Sequence, residues 1–413
     1  MDQHKKSNCR YCNTPLSEPF LELGSMPLAN SFLKKEELND KEFTCPLSLV
    51  YCETCSLVQL SHVVPAELMF SHYLYVSSTS ATFREHFKDY AKDAIARSTA
   101  SGTRLAVDIG SNDGLLLHNF VKEGINAVGV DPATNLSDQA NEEGLTSINR
   151  YFDAECVRII TENHGKADII TANNVFAHID DSQSVCKNVS DLLSDDGMFI
   201  IEFPSLHTMY SEMFFDMIYH EHLSYIGLEA LQHLYRNHNL EIFDVIETSA
   251  HGGSRRVFAQ KIGAHNEVSD NVAETLEAEF KACLSQNFKH TEFAEAVSNI
   301  RTNLRTFVSE AKKQGKKIAG YGAPAKGNTI INYCNFNSND IDYIVDDNAL
   351  KQNMFTPGAH IPVFSSKILH DDPPDMLIIF AWNFAEEIIH KIHFLQESGT
   401  QFIIPLPIPR IIE

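Results

Sequence analysis

Two stretches constrain the fold more than anything else in this chain. Each is a short apolar run that breaks into a glycine turn and resumes as helix. The first is Leu105-Ala106-Val107-Asp108-Ile109 followed by Gly110-Ser111-Asn112-Asp113-Gly114, with a helical pattern through Leu115, Leu116, Leu117 and Phe120. The second is Lys317-Ile318-Ala319-Gly320-Tyr321-Gly322 followed by Ala323-Pro324-Ala325-Lys326-Gly327-Asn328-Thr329, with a helix expected from Ala325 to Ile331. A buried strand, a tight turn and a helix open a doubly wound parallel sheet, and ligands sit at the carboxyl ends of its strands. Ala127 to Pro132, Ala167 to His178 and Gly197 to Pro204 extend the first unit. Ile341 to Asp347 and Met376 to Asn383 extend the second.

The first turn has only Gly110 and Gly114, not the full G-x-G-x-x-G spacing of a dinucleotide site. With Asp108 on the preceding strand and Asp131 ending the next, it suits S-adenosylmethionine better than a pyrophosphate, with the acid holding ribose hydroxyls. Asn112, Asn173 and Asn174 fall at the same strand ends and complete the expected cofactor set. His178 and Glu202 also fall there. An ordinary strand-turn-helix is the competing reading. In the second unit, the helix that follows the turn offers N-terminal amides to a phosphate, and Lys326 adds a charge.

The N-terminal region carries Cys9-Arg10-Tyr11-Cys12 and Cys52-Glu53-Thr54-Cys55. Two C-x-x-C pairs have the knuckle spacing of a tetrahedral thiolate zinc site. With four sulfurs such a site is closed and structural. Cys45 is a fifth thiol that could substitute. The remaining cysteines are scattered among nine in all, which suits a reduced, cytoplasmic protein. A chain of 413 residues with 43% apolar content supports several packed domains. A formal charge of −22 excludes a nucleic-acid surface. No apolar run is long enough to cross a bilayer, and the first residues lack the apolar core of a signal peptide.

Phe214-Phe215-Asp216-Met217-Ile218-Tyr219-His220-Glu221-His222-Leu223-Ser224-Tyr225 sets a phenol, two imidazoles and a carboxylate among apolar residues. Imidazole titrates near neutrality, so a buried pair beside a carboxylate is suited to moving protons. A metal site or a packed polar cluster would give the same letters. Earlier, His72 to Ser80 is rich in hydroxyls, and its Tyr73 and Tyr75 are candidates for a cleft wall. A helical pattern then opens at Phe83. His251-Gly252-Gly253-Ser254-Arg255-Arg256 is a glycine turn entering a strand, either an anion seat or a plain hairpin. Residues 270 to 315 read as one or two amphipathic helices bridging domains.

The expected architecture is α/β: a small zinc-binding domain over residues 1–75, a central Rossmann-like S-adenosylmethionine methyltransferase domain over 76–265, and a C-terminal Rossmann-like α/β domain over 266–413. These motifs, in this order, resemble the nucleotide-sugar C-methyltransferases that methylate C-3 of 4-keto-deoxysugars. The likeness rests on the Cys pairs, Asp108 to Gly114, Asn173 to His178, Glu202-Phe203-Pro204, Tyr219 to His222, His251 to Ser254, and Gly320 to Thr329. It implies that the C-terminal domain helps hold the nucleotide sugar. It also implies that the histidine matching His222 removes the C-3 proton, giving an enolate that takes the methyl group. Tyr219, Glu221 and His178 match residues lining that site, and either Tyr73 or Tyr75 reaches it. Glu202, His251, Gly253, Ser254, Arg256, Tyr321, Lys326 and Asn328 are the expected substrate contacts. Arg255 departs from the pattern, where an apolar residue is expected.

The partner implied is a nucleotide-linked 4-keto-deoxysugar (TDP or GDP), with no nucleic acid and no membrane, on a monomer or weak homo-oligomer. Two other classes compete. An NAD-dependent sugar dehydrogenase or epimerase would need a fuller glycine fingerprint. A non-catalytic zinc adaptor would leave the Tyr-His-Glu-His stretch as packed core.

Overall fold

The computed structural model describes residues 4–70, 81–99, 104–248 and 250–412. Tyr73 and Tyr75 lie outside the described residues. Three sheets organise the chain. The N-terminal sheet begins with β1 (Leu21–Pro27), β2 (Thr44–Tyr51) and β3 (Val58–Leu60), a meander of antiparallel strands. Alternating or continuous apolar residues bury one face of this small sheet.

The central sheet holds β4 (Leu105–Ile109), β5 (Asn126–Val130), β6 (Ser147–Ile148), β7 (Ala167–Asn173) and β8 (Leu193–Pro204). These five run parallel, with β4 paired to both β5 and β7. The near-continuous apolar runs read from the sequence follow from burial on both faces. From β8 the chain leaves the sheet, and β9 (Ser224–Tyr225) pairs with β3, so the Tyr-His-Glu-His stretch is drawn onto the N-terminal lobe. It returns as β10 (Leu240–Thr248) and β11 (Ser254–Lys261).

Beyond the five parallel strands, β11 runs antiparallel to both β10 and β8. A parallel neighbour needs a crossover of about a dozen residues or more, and the turn after Thr248 is far shorter. Gly252 and Gly253 there adopt φ of +89° and +135°. A Cβ on Gly253 would stand 2.7 Å from Thr208 Cγ2, so glycine is required. The turn joins an antiparallel hairpin, and both arginines pair with carboxylates. Arg255, 2% exposed, pairs with Glu279 of the helix Asp270–Lys281. Both Glu279 oxygens also accept the Leu228 N–H, at 3.0 and 2.9 Å. This accounts for Arg255 as a tie between the central sheet and the next helix. Arg255→Ala leaves a carboxylate buried without its partner and should cost about 3–5 kcal/mol in urea unfolding. The double variant Arg255→Met with Glu279→Leu should recover most of that loss.

The helices Asp270–Lys281 and Asn287–Lys313 lead into the third sheet. It contains β12 (Ile318–Tyr321), β13 (Tyr343–Val345), β14 (Val363–Phe364), β15 (Met376–Ile379), β16 (Gln401–Ile404) and β17 (Arg410–Ile412). Strand β12 lies at the centre with β13 and β15 parallel on either side, and only the edge strand β17 is antiparallel. One apolar core runs from Leu47 and Leu49 through Phe215 and Phe293 to Ile318 and Ile344, so the N-terminal sheet and third sheet share an interior. A second joins Cys9, Cys52 and Cys55 to Val107, Phe176 and Phe199 of the central sheet. Among the described residues no helix is long and apolar enough to cross a membrane.

Candidate active site and zinc knuckle

The sulfurs of Cys9, Cys12, Cys52 and Cys55 lie within 4.8 Å of one another. Cys9 and Cys55 are 3.5 Å apart, and Cys12 and Cys52 3.4 Å. Four thiolates at about 2.3 Å from one ion give a tetrahedron of this size, so the residues fit zinc. Hydrogen bonds from Cys52 and Cys55 lower the Cys9 thiol to about 3 against the cost of burial. Gln59 Nε2 and the Tyr11 N–H donate to the same sulfur at 3.1 and 3.4 Å, as donors around a metal thiolate do. Cys45 stands outside the cluster, and burial raises it to about 11.

A cavity collects residues from the ends of the central strands, the Phe214–Tyr225 segment and the third sheet's first helix. Its cofactor side holds Gly110 and Asn112 from the turn after β4 and Asn173 and Asn174 from the end of β7. Gly110 has φ +71°, and a Cβ there would stand 2.3 Å from Val175 Cγ2. Among the described residues, Asn174 Oδ1 and Ser205 Oγ are buried without a hydrogen-bond partner. Such atoms are costly unless a ligand satisfies them, which fits S-adenosylmethionine at this end. Asp131 accepts the Asn112 and Ala133 N–H groups, each at 2.8 Å, and so shapes the turn. Asp108 lies behind it, bonded by Thr171 Oγ1 at 2.5 Å, and burial raises it to about 7.

The reactive side holds His178, Tyr219, His222, Ser224 and Tyr225, with Lys326 reaching in from the third sheet's first helix. His222 Nδ1 is 2.8 Å from the Met217 carbonyl, so Nδ1 carries the proton and donates it there. Its Nε2, 2.8 Å from the Tyr219 hydroxyl, is then the basic nitrogen, and the phenol donates to it. A backbone carbonyl thus holds the tautomer. The His178 ring stands edge-on to His222 at 5.0 Å, and burial lowers it to about 4, which keeps it neutral. Glu221 is buried beside them and accepts from Asn30 Nδ2 at 2.6 Å. His220, unassigned by sequence, is 2% exposed and donates from Nε2 to the Cys45 carbonyl at 3.0 Å. It ties the segment to the N-terminal sheet.

Several expected substrate contacts lie elsewhere. Glu202 is fully buried, bonded by His86 Nε2 at 2.7 Å and by Arg256 Nε at 3.0 Å. Arg256 stacks 3.9 Å over Tyr90, so this pair closes the sheet rather than facing the cavity. Ser254 Oγ donates to the Ala250 carbonyl within the hairpin, while Gly253 does line the cavity. His251 belongs to the short helix Ala250–Gly252. Asn328 Nδ2 donates to the Ala29 carbonyl at 2.7 Å, and Tyr321 donates to Asp347 at 3.0 Å. Both act as straps. Sequence reading missed Phe83, Phe87, Ser205, Leu206, Met209, Phe214 and Met217 as cavity walls. Only Ser205, directly after Glu202-Phe203-Pro204 at a strand's carboxyl end, carried a positional signal.

Burial lowers His220 and His290 to about 4, as it does His178. Between that value and the ordinary 6.5 the unfolded chain binds more protons, so stability is complete above 6.5 and falls as pH drops towards 4. For His220 the full shift is worth on the order of 3 kcal/mol. Melting temperature should fall steadily over this window, and His220→Gln, which keeps a donor without a titrating ring, should flatten the slope.

Three family models match consecutive parts of the chain: a zinc binding domain over residues 9–70, a methyltransferase domain over 83–245 and a C-methyltransferase C-terminal domain over 249–407. The C-methyltransferase NovU of Streptomyces niveus is 36% identical over 404 residues, which is 98% of this chain and 96% of that protein. A ubiquinone biosynthesis O-methyltransferase of Coxiella burnetii is 30% identical over 92 residues, 22% of this chain and 39% of that protein. An S-adenosylmethionine-dependent methyltransferase structure from Clostridium acetobutylicum shares 15% identity over 44% of this chain and 92% of that one, with a TM-score of 0.35. The full-length match sets aside the dehydrogenase and adaptor readings. The chain belongs to the C-methyltransferase family, with S-adenosylmethionine as cofactor and a four-cysteine zinc lobe.

Proposed function

We propose that this enzyme methylates C-3 of a nucleotide-linked 4-keto-6-deoxysugar, carried on TDP or GDP, through an enolate. The observation that carries this reading is His222, whose Nδ1 proton is held by Met217 while Nε2 faces the cavity beside Tyr219. A proton alpha to a ketone is weakly acidic, so its removal needs a placed base and a donor at the developing oxygen charge. Nε2 of His222 takes the C-3 proton, and the electron pair of that C–H bond moves to the carbonyl oxygen. The neutral ring of His178 is the donor for that oxygen, and the Tyr219 phenol, which donates to Nε2 in the resting site, turns away from that nitrogen to let it take the proton. S-adenosylmethionine, when bound, supplies the methyl group that the C-3 carbanion equivalent attacks. The chain's part in that step is positioning: the Asn173–Asn174 end and the His222 end share one cavity. Lys326, at the N-terminal turn of the helix Ala325–Tyr333, supports a phosphate-bearing substrate.

The test is incubation with labelled S-adenosylmethionine and TDP- or GDP-linked 4-keto-6-deoxyhexoses. Carbon-bound label is the expected product. Its absence with every sugar nucleotide, in a protein that binds S-adenosylhomocysteine, would remove the sugar reading.

A further inference from the structure

Leu223 directly follows His222 and joins three parts of the chain. Its N–H donates to the Ala177 carbonyl at 2.8 Å, one residue before His178. Its carbonyl accepts the Leu60 N–H at 3.0 Å and also a terminal nitrogen of Arg10. Arg10 stands between two zinc ligands in Cys9-Arg10-Tyr11-Cys12 and is 8% exposed. Its second terminal nitrogen donates to the Leu60 carbonyl at 3.4 Å. Its backbone N–H donates to Gln59 Oε1 at 3.2 Å, and Gln59 Nε2 donates to Cys9 Sγ at 3.1 Å. A rigid planar fork of donors, pinned at its Cα by flanking ligands and held by Asp180 at 3.6 Å, transmits the knuckle's position to the paired Leu60 and Leu223 carbonyls.

We propose that the zinc knuckle positions the reacting imidazoles through Arg10 and Leu223, making Arg10 a positioning residue for catalysis. One residue, Leu223, then sets His222 on one side and, through Ala177, His178 on the other. Both rings move if the knuckle relaxes. The inference rests on the role given to His222 above.

The test uses full-length Arg10→Lys, which keeps the charge but loses the fork, and Gln59→Met, which keeps the volume but loses both contacts to the knuckle. Four quantities are read: zinc per chain, S-adenosylhomocysteine affinity, kcat against KM, and amide exchange at Leu223. The expected result is full zinc occupancy, unchanged S-adenosylhomocysteine affinity, a kcat loss of up to about 10²-fold and faster exchange at Leu223. Unchanged kcat and exchange in a folded, zinc-loaded Arg10→Lys protein would overturn the proposal. So would a parallel loss of S-adenosylhomocysteine binding, which marks general loosening. If Arg10→Lys does not fold, Gln59→Met decides by the same criteria. The exchange measurement needs no substrate, so it decides the inference even if the sugar reading fails.

Discussion

His222→Asn should lower kcat by about 10²- to 10⁴-fold while leaving S-adenosylhomocysteine affinity unchanged. The ring's two nitrogens have separate tasks: Nδ1 is anchored on the Met217 carbonyl at 2.8 Å, and Nε2 faces the Tyr219 hydroxyl at 2.8 Å. Asparagine can keep one contact but has no basic nitrogen. The cofactor contacts come from other elements, the turn after β4 and the end of β7, so binding there survives. Tyr219→Phe should give a smaller loss, because it removes a donor and leaves the base. Initial rates with the sugar nucleotide and calorimetry with S-adenosylhomocysteine separate these effects. Methylation retained in the double variant His222→Asn with Tyr219→Phe would place the chemistry on other residues.

The second large effect is on folding. Cys9→Ser removes a zinc ligand whose sulfur also accepts from Gln59 and Tyr11. Metal binding to such a knuckle carries about 10–16 kcal/mol of apparent free energy, all of it available only to the folded lobe. The variant should hold less than one zinc per chain and lose the cooperative unfolding of the N-terminal lobe, as read by metal analysis and circular dichroism. A well-folded, zinc-free Cys9→Ser protein would show that the ligands were misassigned. Because Cys9, Cys52 and Cys55 pack in one core with Val107 and Phe176, the damage should extend to the central sheet.

Much of the site was readable because its chemistry is local. The knuckle spacing, the Gly110 turn and the Asn173-Asn174 strand end are each set by a few adjacent residues; the four sulfurs cluster, and the other two line one cavity. His222 and Tyr219 are three apart and bond directly. Arg255 and Arg256 were misleading for the opposite reason. A basic pair beside a glycine turn reads as an anion seat, yet its partners, Glu279 and Glu202, are distant in sequence. Register across β8 and β11 sets Arg256 against Glu202, and sequence alone does not contain that register. His220 shows the same limit, since its acceptor is the Cys45 carbonyl.

Residue order alone therefore determined the parts with short-range causes: the two strand-turn-helix openings, the four-cysteine set, the Gly110 turn and the Tyr219–His222 pair. Tertiary structure decided how they meet. Pairing of β9 with β3 carries His222 onto the zinc lobe, Leu223 bonds to Ala177 beside His178, and the helix after β12 brings Lys326 to the same cavity. The reason is physical: strand pairing and ion pairing join residues by free energy gained across space. Neither leaves a periodic trace in the chain that a reader of one sequence can follow.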